Sequence, residues 1–144
     1  MAVVESKYIV RTNAHRKKIA DNCATGSQQV TKFTHVVLGD GGKNSSGELK
    51  VPNGAVPNLF NQLVKLPITR MERVSDFEYI VHLTVDTSVQ TQLVGKDINE
   101  RGIVDSASIT VSITPSIAVL ETFPGFGVLQ ANKTYEYAIR FTVI

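Results

Sequence analysis

Asp97, Glu100, Arg101 and Asp105 crowd one short stretch, Gly95-Lys96-Asp97-Ile98-Asn99-Glu100-Arg101-Gly102-Ile103-Val104-Asp105. Two carboxyls facing across a groove at a set separation are what glycoside hydrolysis needs, so this is the first place to look for acid–base chemistry. The stretch also has a plainer reading. Ile98 and Ile103 look inward, and the charged residues between them must be solvated, paired or held by backbone groups. A glycine inside a strand-like run marks a bulge or a close backbone approach. Charge and a bulge together are how a sheet edge is kept from the wrong neighbour. Two readings stand: a shaped, charged edge that docks a partner, or an ordinary bulge with a Glu–Arg pair across it. On either, charge reversal at Glu100 and Arg101 is expected to leave the domain folded.

Other reactive residue types are scattered. His15, His35 and His82 share no metal-ligand spacing. No H-E-x-x-H and no nucleophile elbow is present. Gly39-Asp40-Gly41-Gly42-Lys43 has the glycines of an anion-binding nest. It lacks the Walker spacing and the Ser/Thr after the lysine, and it reads best as a tight turn. Cys23 is the single cysteine, which excludes an internal disulfide and a multi-cysteine metal site. The expectation is no catalytic residue, no metal and no cofactor.

The elements around these residues follow from periodicity. Residues 7–10 read as a short strand or arm. Thr12-Asn13 offers a helix N-cap and Thr25-Gly26 a stop, giving a helix over about residues 14–24. Ile19, Ala20, Cys23 and Ala24 fall on one face, which makes Cys23 a small core residue. Arg16, Lys17 and Lys18 sit in the first turns, where cations oppose the macrodipole; an acidic partner surface would compensate. Residues 32–38 alternate as a strand. Residues 43–55 form a long polar loop, expected to order on binding. Pro57 opens a short helix over residues 57–64, ended by Pro67. Residues 68–74, 77–85, 108–114 and 134–143 read as strands. In residues 77–85 Phe77, Tyr79, Val81, Leu83 and Val85 share one face, on which Tyr79, Val81 and Leu83 should be buried; in the last strand Tyr137, Ile139 and Phe141 should be. Residues 120–129 read as an apolar loop in which Phe123 and Phe126 plug the core or form a docking knob. The pattern has no βαβ rhythm. It predicts an α+β fold of mostly antiparallel, sandwich-like sheet with one N-terminal helix and one short internal helix.

Composition bounds the rest. The 144 residues fit one domain, residues 1–144, with 42% apolar and 19% charged residues. A net charge of +2 is too small to argue for nucleic acid. No apolar run approaches the ~18 residues of a membrane span. The first ten residues contain Glu5 and Lys7 and lack a signal peptide's apolar core, so folding in a cytoplasm is expected.

Four blocks in order give the chain a resemblance. They are Lys7-Tyr8-Ile9-Val10-Arg11-Thr12-Asn13 with residues 18–26; Phe33 through the Gly39-Asp40-Gly41-Gly42 turn; Leu59-Phe60-Asn61-Gln62-Leu63-Val64-Lys65-Leu66-Pro67-Ile68; and Gly95 to Asp105, where Ile98, Glu100, Gly102, Ile103 and Asp105 match an Ile-x-Glu-x-Gly-Leu-x-Asp pattern. With these the chain resembles the N-terminal domain of phage tail-collar fibre proteins, the region by which tail fibres join the baseplate. It departs at Gln62, where the family has Glu, at Gly95, where the family has a glycine pair, and at Ser106-Ala107-Ser108, where a turn glycine is usual. The resemblance implies a non-enzymatic virion protein of the tail or baseplate, made in the host bacterial cytoplasm. Its partners would be a baseplate wedge or tail fibre and further copies of itself, with no nucleic acid and no membrane insertion. The interface candidates are Arg16, Lys17, Lys18, Asp97, Glu100, Arg101, Asp105, Phe123 and Phe126. The alternative is a carbohydrate-binding module of the tail. Against it stand the absence of tryptophan and of an aromatic platform.

Overall fold

Alternation is strongest in the two longest strands, β6 (Glu78–Asp86) and β9 (Thr134–Thr142), and they find each other. In the computed structural model, which describes residues 3–4, 8–25, 32–55, 58–105, 117–125 and 127–142, they pair antiparallel from Glu78 opposite Thr142 to Asp86 opposite Thr134. Their shared face turns Val81, Leu83, Val85, Tyr137, Ile139 and Phe141 inward, all buried. Tyr79 is half-buried and stacks on Phe141. β5 (Arg70–Arg73) pairs with β6, and β1 (Val3–Val4) lies parallel to β9, giving a sheet of order β1-β9-β6-β5.

The second sheet has the order β2-β8-β7-β3-β4 and is antiparallel throughout. Its strands are β2 (Tyr8–Arg11), β3 (Phe33–Gly39), β4 (Gln62–Pro67), β7 (Glu100–Asp105) and β8 (Ile117–Thr122). Val36, Leu38, Val64, Leu66 and Ile103 join the inward residues of the first sheet in one core, which Leu93, Ile98, Phe123 and Leu129 extend. On the opposite face Val37, Val104, Ile117 and Leu120 form a smaller cluster. The helix α1 (Asn13–Thr25) packs near β8, and a 3-10 turn covers Thr91–Leu93. The architecture is the expected α+β sandwich of mostly antiparallel sheet. Among the described residues no helix is long and apolar enough to cross a membrane.

Several elements differ from the sequence reading. Among the described residues the helix expected over residues 57–64 does not form: Gln62–Pro67 is a strand, with Val64 and Leu66 buried. Pairing with β3 outweighs a local helical pattern of only a few residues, because short helices have little stability of their own. β8 begins before the segment read as a loop at residue 120, and all six of its residues are buried. A strand covered on both faces shows an apolar run instead of alternation. The strand expected over residues 108–114 lies outside the described residues. Phe77 precedes β6 and is exposed. Cys23 is exposed as well, since α1 buries only His15 of the residues described in it. Within the loop over residues 43–55, Lys43 is bridged to Leu49 and the Asn44 side chain accepts from the Ser46 and Glu48 amides.

Thr12 caps α1 as its sequence position suggests. Its hydroxyl accepts from the His15 amide at 3.3 Å and donates to the Ile117 carbonyl at 2.6 Å, tying the helix start to β8. The shared face of β6 and β9 carries a direct expectation. Ile139→Ala or Leu83→Ala should each cost about 2–5 kcal/mol in chemical denaturation, and a loss below about 1 kcal/mol at both would contradict the packing described.

Candidate functional site

β7 is the central strand of the larger sheet, flanked by β8 and β3. The stretch expected to form a charged edge is therefore interior, and Glu100 and Arg101 are each 1 % exposed. A charge at that depth must be matched, and the chain matches both.

Glu100 is held by backbone. Its Oε1 accepts from the Phe60 amide at 2.6 Å, and its Oε2 accepts from the Gly41 and Asn61 amides at 2.5 and 3.0 Å. The anion that occupies the glycine turn is thus the chain's own carboxylate. Glycine is required at position 41 by close approach, since a Cβ there would meet Glu100 Oε2 at 2.6 Å and the Asn61 amide nitrogen at 2.7 Å. The neighbouring Asn99 repeats the arrangement, its Oδ1 accepting from the Gly42 amide at 2.7 Å. Burial pushes the Glu100 carboxyl above its ordinary value. The amides of Asn61, Phe60 and Gly41 and the Lys50 charge act against that shift.

Arg101 is held by a side chain. It stands directly opposite Glu121 of β8, with its Nε 2.5 Å from Glu121 Oε2. The guanidinium lies 4.5 Å from the ring centroid of Phe123, which is fully buried. The Glu–Arg pair expected within this stretch is therefore Arg101 with Glu121, across strands. Phe123 is the plug, and Phe126 lies outside the described residues. The next residue, Gly102, leaves room for Ile117, whose Cγ2 would lie 2.6 Å from a Cβ at that position. The bulge in the β7–β8 pairing falls just after it, between Ile103 and Val104.

The remaining interface candidates divide by depth. Arg16 and Lys17 are exposed on α1 and Lys18 is half-buried; Lys17 pairs with Asp21 at 2.9 Å. No acidic residue stands in the first turn of α1. Asp97 is half-buried, 3.6 Å from Lys43 and accepting from the Gly127 amide. Asp105 ends β7 opposite Phe33, and its side chain lies outside the described residues. Glu100, Arg101 and Phe123 cannot meet a partner without opening the sheet. Glu100 is buried with both oxygens held by backbone amides, so the carboxylate pair imagined for glycoside chemistry is not assembled around it.

The histidines stay apart. His15 is buried in the first turn of α1, its Nδ1 accepting from Arg11 Nη1 at 3.3 Å. His35 on β3 is held below its ordinary value by burial and by Lys65. His82 on β6 lies between Arg70 and Glu72. Among the described residues no group of three His, Cys, Asp or Glu side chains converges as a metal site would. Sequence reasoning missed Glu121 and Asn99. The available signal for Glu121 was a carboxylate at the end of an apolar run, Ile117-Ala118-Val119-Leu120, which has to be paired if the run is a buried strand.

The buried pair yields a test that reverses the expectation for charge reversal at these positions. Arg101→Met removes the guanidinium from the buried Glu121 Oε2 and should cost about 3–5 kcal/mol. Arg101→Met with Glu121→Leu should cost clearly less than the sum of the two single changes in a double-mutant cycle followed by urea unfolding. Additive losses would show that the two side chains are not coupled. Comparison of the chain with protein-family models, with curated proteins and with solved structures finds no match in any of the three.

Proposed function

We propose that this chain is a non-enzymatic structural protein of a phage tail or related contractile particle, acting as a fibre-to-baseplate adaptor or small baseplate component. One observation carries the reading. Three of the four blocks on which the tail-collar resemblance rests meet at a single carboxylate. Gly41 comes from the Gly-Asp-Gly-Gly turn, Phe60 and Asn61 from the Leu-Phe-Asn segment, and Glu100 from the Ile-x-Glu-x-Gly-Ile-x-Asp segment. Residues 59 positions apart thus act as one hydrogen-bonded unit. This supports treating the blocks as a single structural signature instead of separate chance matches.

The role of such a unit is shape. Both Glu100 oxygens and the Arg101–Glu121 pair are committed to holding strands and loops in register, as a rigid adaptor requires. Of the charged interface candidates, the exposed ones are on α1. Arg16 and Lys17 are exposed near the helix start, where they oppose the macrodipole, and an acidic surface on a neighbouring tail protein would offset that cost. Tails and baseplates are symmetric, so the partner is met in repeated copies. The protein then resides in the virion after synthesis in the host bacterial cytoplasm.

Arg16→Glu with Lys17→Glu should leave the circular dichroism of the purified protein unchanged and deplete the chain from purified particles on blotting. Variant protein present at wild-type levels would remove α1 from the interface. Absence of the wild-type chain from particles would overturn the reading itself.

A further inference from the structure

Of the eight asparagines in the chain, Asn53 is the one followed by glycine. An asparagine carries its own leaving group. The backbone nitrogen of the next residue can attack the side-chain carbonyl carbon, and a glycine there, with no Cβ, leaves the approach open. Whether a fold permits the attack depends on what that nitrogen and that carbonyl already bond.

At Asn53 both are disposed for it. The side chain is exposed. Its Oδ1 accepts from the Ala55 amide at 2.9 Å, the turn in which asparagine bonds the backbone two residues on. The donor thus stands at the oxygen on which negative charge develops when Cγ becomes tetrahedral. The Gly54 amide donates to no group among the described residues. Asp40-Gly41 is a similar dipeptide in another turn, and it is locked. The Gly41 amide donates to Glu100 Oε2 at 2.5 Å, and Asp40 Oδ1 accepts from Asn61 Nδ2 at 2.6 Å. A nitrogen committed to a buried carboxylate cannot attack its neighbour's side chain.

The product matters because of what Gly54 holds. Its carbonyl accepts from the Asn13 amide at 2.8 Å, one of the N–H groups at the start of α1 that no helical bond satisfies. The position is also close-packed: a Cβ there would meet the Arg11 carbonyl oxygen at 2.9 Å.

We propose that Asn53 is a site of spontaneous covalent modification whose product loosens the start of α1. The Gly54 nitrogen bonds to Asn53 Cγ and gives up its proton, the Cγ–Nδ2 bond breaks, and ammonia leaves. Solvent water then opens the cyclic imide at either carbonyl. Opening at Cγ gives aspartate. Opening at the main-chain carbonyl gives isoaspartate, in which the backbone runs through Cβ and Cγ and is one methylene longer. The longer backbone displaces Gly54 from the Asn13 amide. The inference does not depend on the particle reading, and the purified chain tests it alone.

The experiment compares the full wild-type chain with Asp40→Asn, which places a second asparagine–glycine pair at the locked turn. Both are held at mildly alkaline pH, native and in urea, then digested, and the peptides are read by mass and isoaspartate content. The preference for position 53 over position 40 should be at least about 10-fold greater in the native chain than in urea. That factor reflects withdrawing the Gly41 amide from a charged acceptor. Circular dichroism checks folding. If Asp40→Asn does not fold, isomerisation of Asp40 in wild type, through the same imide, gives the same comparison. In the isoaspartate product, separated by ion exchange, the Asn13 amide should exchange with deuterium about five-fold faster or more, as loss of one backbone hydrogen bond implies. Asn53 that stays intact in the native chain, a preference no greater in the native chain than in urea, or unchanged Asn13 exchange in the product would each overturn the inference.

Discussion

A carboxylate buried in the middle of a sheet has to be met by donors, and at Glu100 the donors are the backbone amides of Gly41, Phe60 and Asn61. The rest of the larger sheet depends on this arrangement. Gly41 follows β3, and Phe60 and Asn61 precede β4, so one side chain from β7 fixes where both neighbouring segments leave and enter the sheet. Asp40 and Asn61 reinforce the junction: the Asn61 Nδ2 donates to Asp40 Oδ1 at 2.6 Å, and the Asp40 amide donates to the Asn61 carbonyl at 3.3 Å. The register shift between Leu38 and Gly39 falls at this same junction. Two constraints therefore converge on the glycine turn. It must bring an amide within hydrogen-bonding distance of a buried anion, and it must leave no side chain in the way.

The Arg101–Glu121 pair sets register in a second direction. Strand pairing alone tolerates slippage by one residue unless the side chains forbid it, because such a slip sends every residue to the other face. Slipping β8 against β7 would separate Arg101 from Glu121 and leave both charges buried without each other. Stacking of the guanidinium on Phe123 adds an apolar cover to the same pair. A buried ion pair contributes little net stability compared with a well-packed apolar replacement. Its effect here is to make the wrong registers costly.

The sequence was most legible where one face of an element is buried and the other wet. β6 and β9 follow their period-two pattern, and Thr12 caps α1 as its position implies. It was least legible where a strand is covered on both sides. β7 and β8 lack the alternation of a half-exposed strand, so Glu100 and Arg101 looked like an edge and Ile117–Thr122 was not read as a strand. The charges were open to being solvated, paired or held by backbone, and here Arg101 is paired across strands and Glu100 is cradled by amides. The Leu59–Val64 segment failed for another reason. Its local spacing suits a helix, but hydrogen bonds offered by β3 decide the outcome, and no local pattern encodes a partner nearly thirty residues away. The glycine turn read best as a tight turn, with an anion-binding nest as the lesser reading; what periodicity could not supply was that a carboxylate of the chain itself, Glu100, would accept from its Gly41 amide.

The central claim is that the Glu100 carboxylate holds the Gly41, Phe60 and Asn61 segments in place. Amide hydrogen exchange on wild type and Glu100→Gln tests it most directly, since the substitution keeps the side-chain shape and removes the charge. The claim predicts that the amides of Gly41, Phe60 and Asn61 lose protection together, and by more than the amides of Val81 and Ile139 in the opposite sheet. Equal losses at all five positions, or retained protection at the first three, would contradict it.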